Sequence, residues 1–326
     1  MPADPISVLA PVDLALERTK VILFRPFDAA KWFTIAFGAW LAGLGRGGFN
    51  FNFNFGQQRR QVNSEQFRQA LGHVHDYVLD HLYWIVPAAI VLALLVLTAA
   101  IVFTWLRSRG AFMFLHCVAR NRAEIAEPWK KFRAEANSLF VFRLVVALVS
   151  LAVFLPLLAA AGYRLYVMFR RDAWDSAATW NLVGLGLGFL GAALLFGLVH
   201  KLTNDFVVPV MALRRTTCLA GWAEFGGLLA AHPLQFFVYL LFQIVIGLAI
   251  VLLVVLGVLL TCCLAGCILM LPYLGTVLLL PVLVFCRAYS LHYLAQYGRP
   301  YDAFAPDGPP APPAPPAPEV VVPPVL

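Results

Sequence analysis

The sequence Glu127-Pro128-Trp129-Lys130-Lys131-Phe132 is the centre of a basic, amphipathic stretch, Arg107 to Phe142, that lies between two long apolar runs. Weaker copies of it adjoin the other hydrophobic segments: Arg25-Pro26-Phe27-Asp28, Gly221-Trp222-Ala223-Glu224-Phe225 and Arg299-Pro300-Tyr301-Asp302-Ala303-Phe304. Each copy brings an aromatic side chain beside a charge, which is typical of residues at a membrane–water interface. The pattern predicts three helical hairpins separated by four surface elements, with these interfacial anchors: Phe27, Trp129, Trp222 and Tyr301.

The composition of the chain is that of a membrane protein. Of its 326 residues, 61% are hydrophobic and only 13% are charged, which is far from the average of a soluble protein. The formal net charge of +7 arises from Lys and Arg residues in particular loops, which membrane topology explains better than nucleic-acid binding. No nucleic-acid partner is therefore predicted. The six cysteines lie in or beside apolar segments without the pairing pattern of a secreted disulfide framework.

The apolar runs predict an all-α, polytopic membrane bundle of about six transmembrane helices, preceded by an amphipathic interfacial helix at residues 7–28. The expected crossings are residues 29–46, 82–106, 139–162, 181–199, 234–260 and 267–289. No cleavable signal peptide is recognised, so the first crossing is expected to act as an uncleaved signal. The membrane domain is expected to span residues 1–304. The last stretch, residues 305–326, contains ten prolines and predicts a disordered tail.

The distribution of basic residues predicts the orientation of these crossings. With six crossings and both termini in the cytoplasm, 17 of the 24 Lys and Arg residues face the cytoplasm, as the positive-inside rule requires. The loop at residues 107–138 alone holds seven of them. The predicted location is a bacterial inner membrane, with the lipid bilayer as the first partner.

Four segments carry a family resemblance. They are Phe24-Arg25-Pro26-Phe27-Asp28 with Lys31-Trp32, Asn121-Arg122-Ala123-Glu124 through Trp129, Asn204-Asp205-Phe206-Val207-Val208-Pro209, and Leu271-Pro272-Tyr273-Leu274-Gly275-Thr276 through Arg287-Ala288-Tyr289. Between residues 10 and about 304 the chain resembles uncharacterised six-helix bacterial membrane proteins. More distantly, it resembles membrane-domain proteins related to glycerophosphodiester phosphodiesterase membrane anchors. The resemblance implies fold and location only, since the chain carries no phosphodiesterase domain.

Ionisable side chains at the ends of the predicted crossings are the first candidate site. A charge that faces lipid is costly, so such residues are expected to face protein or water. One interpretation is that these cations only mark the inner boundary and extend toward water. The other is a polar cluster at the inner end of the bundle in which Asp205 is the counter-ion. Its predicted members are Arg143, Lys201, Asn204, Asp205 and Arg287.

Three further patterns are weaker candidates. A metal site could use His73, His75, Asp76, Asp80 and His81, yet on a helix His73 and His75 point in different directions. Cys262, Cys263 and Cys267 lack a fourth ligand for structural zinc and are interpreted as small packing residues. The alternating Phe-Asn tract at residues 49–55 predicts either a strand that pairs with another chain or a loop in the interface. No metal site and no cofactor are predicted.

Known catalytic motifs such as a phosphate-binding loop or a nucleophile elbow are not found in the sequence, and no enzymatic activity is expected. The leading hypothesis is a membrane protein that handles a small molecule or lipid between its helices, with the proline-broken fourth and sixth helices beside the path. The fourth helix is expected to continue past residue 199 toward Arg214 and to bend at Pro209. The alternative hypothesis is a scaffold or assembly factor. Its basic cytoplasmic elements and proline-rich tail would bind protein partners.

Overall fold

The computed structural model of the protein describes residues 6–44, 80–171, 176–261 and 264–305. All regular secondary structure in these residues is helical. The helices are α1 (Ala10–Leu23), α2 (Ala29–Gly43), α3 (Leu82–Arg120), α4 (Ala126–Lys131), α5 (Arg133–Arg171), α6 (Ser176–Leu202), a π-helical turn (Thr203–Val207), α7 (Val208–Arg214), α8 (Cys218–Ala231), α9 (Pro233–Leu260), α10 (Leu264–Met270), α11 (Pro272–Leu278), α12 (Leu280–Ala295) and a 3₁₀ turn (Arg299–Tyr301).

Four helical stretches in the described residues are long and apolar enough to cross a bilayer. They are Leu82–Arg120, Arg133–Met168, Thr179–Arg214 and Pro233–Leu260. These stretches contain the predicted second to fifth crossings. The first three are longer than predicted, because each continues past its apolar run into an adjoining polar segment, whereas Pro233–Leu260 matches the predicted 234–260 to within one residue.

The first and sixth predicted crossings are occupied by short helices. Helix α2 has 15 residues, which gives a length of about 22 Å, shorter than the roughly 30 Å hydrocarbon layer. The predicted sixth crossing, residues 267–289, is divided among α10, α11 and α12. Prolines lie at the start of the last two of these helices, and Leu271 before Pro272 is extended, because a residue before proline avoids the helical region. The helix boundaries therefore lie at the two prolines that are expected to break this crossing.

The apolar halves of the long helices are exposed on all sides. Every residue from Val86 to Phe103 of α3 is exposed, and the most apolar stretches of α5 and α6 contain no buried residue. A soluble protein could not present such a surface to water, whereas a bilayer solvates it. The bilayer is thus the environment that these four helices fit.

The packed core lies at the other end of the long helices, where their polar residues are. Its centre is Phe206 of the π-helical turn, whose ring stacks on Phe225 of α8 at 5.1 Å between centroids. Phe236 and Tyr239 of α9 also contact Phe206, at 5.2 and 4.9 Å. Tyr293 of α12 packs on Tyr239 at 4.6 Å. These rings join four separate elements into one hydrophobic core.

Helix α1, which the sequence predicts as an interfacial helix, packs against this core. Ser7 Oγ accepts hydrogen bonds from the amides of Leu9 and Ala10, and one face of α1 packs against α12 with Ala15 and Ile22 fully buried. Leu14 and Leu16 are exposed. One face of the predicted amphipathic helix therefore meets protein.

The end of α3 is held by cations from the first two helices. Arg18 of α1 donates hydrogen bonds to the carbonyl oxygens of Val118 and Ala119, at 3.1 and 2.6 Å. Lys31 of α2 donates to Asn121 Oδ1 at 2.8 Å, where Asn121 ends α3 in the left-handed conformation. The last carbonyls of a helix have no partner within it and carry partial negative charge. Positive side chains from α1 and α2 therefore stabilise this end.

Several sequence-based predictions fall outside the described residues. These are the Phe-Asn tract, the histidines at 73 and 75 with Asp76, the cysteines at 262 and 263, and the proline-rich tail after residue 305. Cys267 is described and is an exposed free thiol.

Candidate functional site: a polar network at the basic end of the bundle

The end of α6 changes from α-helical to π-helical geometry, which frees one backbone carbonyl. The amide of Val208 donates to Thr203 O, five residues earlier. The next donor in this register would be residue 209, but Pro209 has no N–H, so the carbonyl of Asn204 has no helical partner. Arg287 of α12 donates its Nη1 hydrogen to that carbonyl. A bend is expected at Pro209 from the sequence, and in the structure the hydrogen-bond register changes from α-helical to π-helical just before this residue.

The side chain of Asn204 connects three of the long helices. Its Oδ1 accepts a hydrogen bond from Arg143 Nη2 of α5 at 2.6 Å. Arg143 Nη1 also donates to Ser108 Oγ of α3 at 3.2 Å. On the other side, Asn204 Nδ2 lies 3.0 Å from His200 Nε2, which also contacts Arg107 of α3. Arg143 and Ser108 are both buried, so this part of the network is inside the protein.

Asp205 forms the second half of the network. Its Oδ2 lies 2.8 Å from Lys201 Nζ, one turn earlier on the same helix. The hydroxyl of Tyr239 on α9 donates to the same oxygen at 3.1 Å. Gln243 Nε2 in turn donates to the Tyr239 hydroxyl at 2.9 Å. The side chain of Asp205 is only 20% exposed, so the ion pair and the hydrogen bond compensate for its partial loss of hydration.

The five residues of the predicted polar cluster thus meet at two neighbouring positions of the π-helical turn. Arg143 and Arg287 bind Asn204, and Lys201 binds Asp205. Arg214, a further cation near Asp205 in the sequence, instead pairs with Glu224 at 3.0 Å. We use "basic end" below for the end of the bundle that is defined by Arg107, Arg143, Lys201 and Arg287.

Three uncharged members of this network, Ser108, His200 and Tyr239, were not predicted. They lie in apolar or loop-like sequence that gives no signal of its own. His200 and Asn204 are four residues apart, which is the spacing that brings side chains together on a helix. That spacing could have indicated the pair.

Two of the four predicted interfacial anchors, Trp129 and Trp222, pack against protein. The guanidinium of Arg109 lies 5.1 Å from the ring centres of both Trp105 and Trp129, and it donates to the Trp129 carbonyl at 3.0 Å. Trp222 contacts Phe142 and Phe225, at 6.1 and 5.8 Å between ring centres.

The other two anchors lie nearer the surface. The Arg214 guanidinium is 5.6 Å from the centre of the half-buried Tyr301 ring. Phe27 is 65% exposed and packs only one side against Trp32, at 5.7 Å. Of the four predicted anchors, Phe27 has the environment that best fits an interfacial position.

An open groove lies near the opposite end of the long helices. It has a volume of about 420 Å³ and lies between α5 and α6, lined by Leu157, Trp180, Asn181, Gly184 and Leu185. Asn181 and Asp205 are 24 positions apart on nearly continuous helix, which corresponds to roughly 36 Å at 1.5 Å per residue. This groove therefore does not reach the polar network.

Fold and surface together define the class of this protein: an all-α, multi-pass membrane protein with a packed polar network at one end of its long helices. The chain belongs to the family of unknown function DUF7544, whose model matches residues 6–289. No curated protein matches the sequence, and no solved structure does so either. The comparisons support the expected uncharacterised family, and they give no support for a likeness to glycerophosphodiester phosphodiesterase membrane anchors.

Proposed function

We propose that this protein is a non-enzymatic protein of a bacterial inner membrane that holds an anionic lipid beside the basic end of the bundle. Both termini would lie in the cytoplasm, in agreement with the 17 of 24 basic residues that this topology assigns to the inner side. The basic end would then lie at the inner leaflet, where anionic lipid headgroups are abundant.

The concentration of guanidinium and ammonium groups in the network is the observation that carries this proposal. Four cationic side chains, Arg107, Arg143, Lys201 and Arg287, lie within it together with the carboxylate of Asp205. Arg143 and Arg287 are only 7% and 9% exposed, whereas Lys201 is 35% exposed at its side chain. A phosphate group at the edge of this network would be attracted by these cations and would form strong hydrogen bonds with guanidinium groups.

The apolar helices above the network would accommodate the acyl chains of such a lipid. The exposed stretch from Val86 to Phe103 ends one helical turn before Arg107 in the chain. The exposed half of α6 likewise lies before Lys201. A lipid with its headgroup at the basic end would thus place its chains along exposed apolar side chains. This arrangement favours an amphiphile over a small polar molecule.

Thermal unfolding in detergent with added lipids tests this proposal. Phosphatidylglycerol should raise the melting temperature more than phosphatidylcholine, and Arg107→Gln should remove most of that difference. Arg164→Gln is the matched control, because Arg164 is an exposed arginine on α5 far from the network. Equal stabilisation by the two lipids, or an unchanged preference in Arg107→Gln, would contradict lipid binding at this end.

A scaffold that binds other membrane helices is the second candidate, and the surface of α6 favours it. A Cβ atom added at Gly184 or Gly191 would meet nothing within 4 Å, although small residues in membrane helices commonly allow close helix contacts. The surface of α6 at these two glycines is therefore open to a helix of another chain. Detergent-solubilised protein should then form a larger complex that Gly191→Leu, but not Gly197→Leu on another part of α6, would disrupt.

A further inference from the structure

Three side chains with metal-binding atoms meet beyond the basic end, where α3 is connected to α4. His116 lies in the last two turns of α3, Glu124 lies in the connecting loop, and Glu127 lies in the first turn of α4. The ligand atoms of these three residues all lie within 4.8 Å of one another. None of them belongs to the polar network around Asn204 and Asp205.

The three residues differ in how freely they can adjust. His116 is buried at 7% exposure, and its ring packs against Phe132 with 6.1 Å between centres. Glu124 is half-buried and Glu127 is exposed. A tetrahedral ion with bonds of 2.0–2.1 Å needs ligand atoms about 3.4 Å apart. Rotation of the two glutamate side chains toward a fixed imidazole can close the remaining distance.

The two carboxyl groups are close enough to interact strongly. Their oxygens lie within 4.8 Å of each other and of the His116 ring nitrogen. Glu124 Oε2 is buried and has no hydrogen-bond partner in the described structure. Arg122 lies 3.9 Å from the other oxygen of Glu124 at the surface, where an ion pair contributes little. A divalent cation could lie between the two carboxylates and satisfy the buried oxygen.

We propose that His116, Glu124 and Glu127 bind one divalent transition-metal ion, for which Zn²⁺ is the best match. The imidazole nitrogen favours such ions over Mg²⁺ and Ca²⁺, which prefer oxygen ligands. Three protein ligands leave one position for water. Both glutamates would coordinate as carboxylates.

The bound ion would fix the connection between α3 and α4. In its absence, this connection is held to the bundle through Arg109, which binds the Trp129 carbonyl, and through the buried Pro128. A metal ion would add a direct link from the buried His116 to the first turn of α4. The site is therefore a structural clamp on the surface element that contains Trp129.

Calorimetry on the full chain, purified in detergent without a polyhistidine tag and stripped of metal, tests the site. Zn²⁺ should bind with one ion per chain, and Mg²⁺ should not compete. Since loss of an outer-shell partner typically costs 10- to 100-fold in affinity, loss of a direct ligand in Glu127→Gln should cost at least about 100-fold. Glu17→Gln, which changes an exposed glutamate on α1, should leave the affinity unchanged.

Hydrogen exchange provides a second readout that does not depend on the total amount of bound metal. Zn²⁺ should slow amide exchange in residues 121–131 of the parent and of Glu17→Gln, but not in Glu127→Gln. Glu127 is exposed, so its substitution leaves the folded core intact. The site is disproved if Zn²⁺ binds no more tightly than Mg²⁺, or if Glu127→Gln binds Zn²⁺ as tightly as the parent. Failure of lipid binding would leave this result unaffected.

Discussion

Asp205 is the residue on which the polar network depends most directly. It accepts contacts from Lys201 on its own helix and from Tyr239 on α9, and it lies next to the position that Arg143 and Arg287 both bind. Lys201 and Arg214 both lie within ten residues of it in the sequence. Only the folded chain decides among them, because Arg214 has a nearer carboxylate in Glu224, at 3.0 Å.

A double-mutant cycle tests this pairing. Asp205→Ala should destabilise the protein, and Lys201→Met should remove part of that loss, with a coupling free energy of about 0.5–3 kcal/mol. The reason is that removal of one partner leaves the other charge partly buried and unpaired. Unfolding of the two single variants and the double variant, measured in the same detergent, gives the coupling.

Arg214→Met is the control for that cycle. Since Arg214 pairs with Glu224, its effect should add to that of Asp205→Ala within about 0.5 kcal/mol. Strong coupling to Arg214 together with additivity at Lys201 would show that the ion pair is assigned to the wrong residue.

Gly110 lies where the backbones of α2 and α3 approach each other most closely among the helix contacts made at glycines. A Cβ atom at Gly110 of α3 would lie 2.5 Å from the amide nitrogen of Ala42 and 2.6 Å from the carbonyl carbon of Leu41. The obstructing atoms belong to the backbone of α2 and cannot turn aside. Glycine at this position therefore determines how closely the short α2 packs against α3.

Gly110→Ala should consequently destabilise the protein by about 1–3 kcal/mol, the range for an overpacked core. Gly197→Ala on α6 is the matched control, because a Cβ atom there meets nothing within 4 Å. That change should be neutral or stabilising by up to about 1 kcal/mol, since alanine favours a helix more than glycine does. Thermal unfolding followed by tryptophan fluorescence compares the two. Equal melting temperatures would mean that α2 does not lie against α3 in this way.

At the scale of the whole molecule, packing and charge divide the protein into two parts. One end of the long helices is apolar and exposed, and the other end is packed, aromatic and basic. In a membrane, the apolar part needs no protein contact to be stable, because lipid solvates it. The folded core can therefore lie at one side of the bilayer, where α1, α2 and α12 surround the ends of the long helices.

Cysteine labelling tests the orientation that the charge distribution predicts. In a background from which the six native cysteines have been removed, Ser176→Cys should react with a membrane-impermeant maleimide in intact spheroplasts. Ala126→Cys, at an exposed position beside the basic loop, should react only after permeabilisation. The expectation follows from the excess of Lys and Arg at the second site. Labelling of both positions from the same side would contradict a crossing between them.

The sequence by itself determined the helical membrane class and the positions of four long apolar helices, and it indicated five members of the polar network. Hydropathy and charge are properties of local segments, so they can be read without knowledge of the fold. The spacing of Lys201 and Asp205 on one helix was readable for the same reason. Pro272 and Pro281 likewise indicated where the predicted sixth crossing is broken.

Only the tertiary structure decided which distant segments meet. The contacts of Lys31 with Asn121, Arg143 with Asn204, and Arg18 with the end of α3 join positions 61 to 101 residues apart. The same holds for the buried face of α1, whose apolar pattern could serve either lipid or protein. The physical reason is that hydrophobic burial has no direction and side-chain partners depend on distances across the fold, neither of which a single segment specifies.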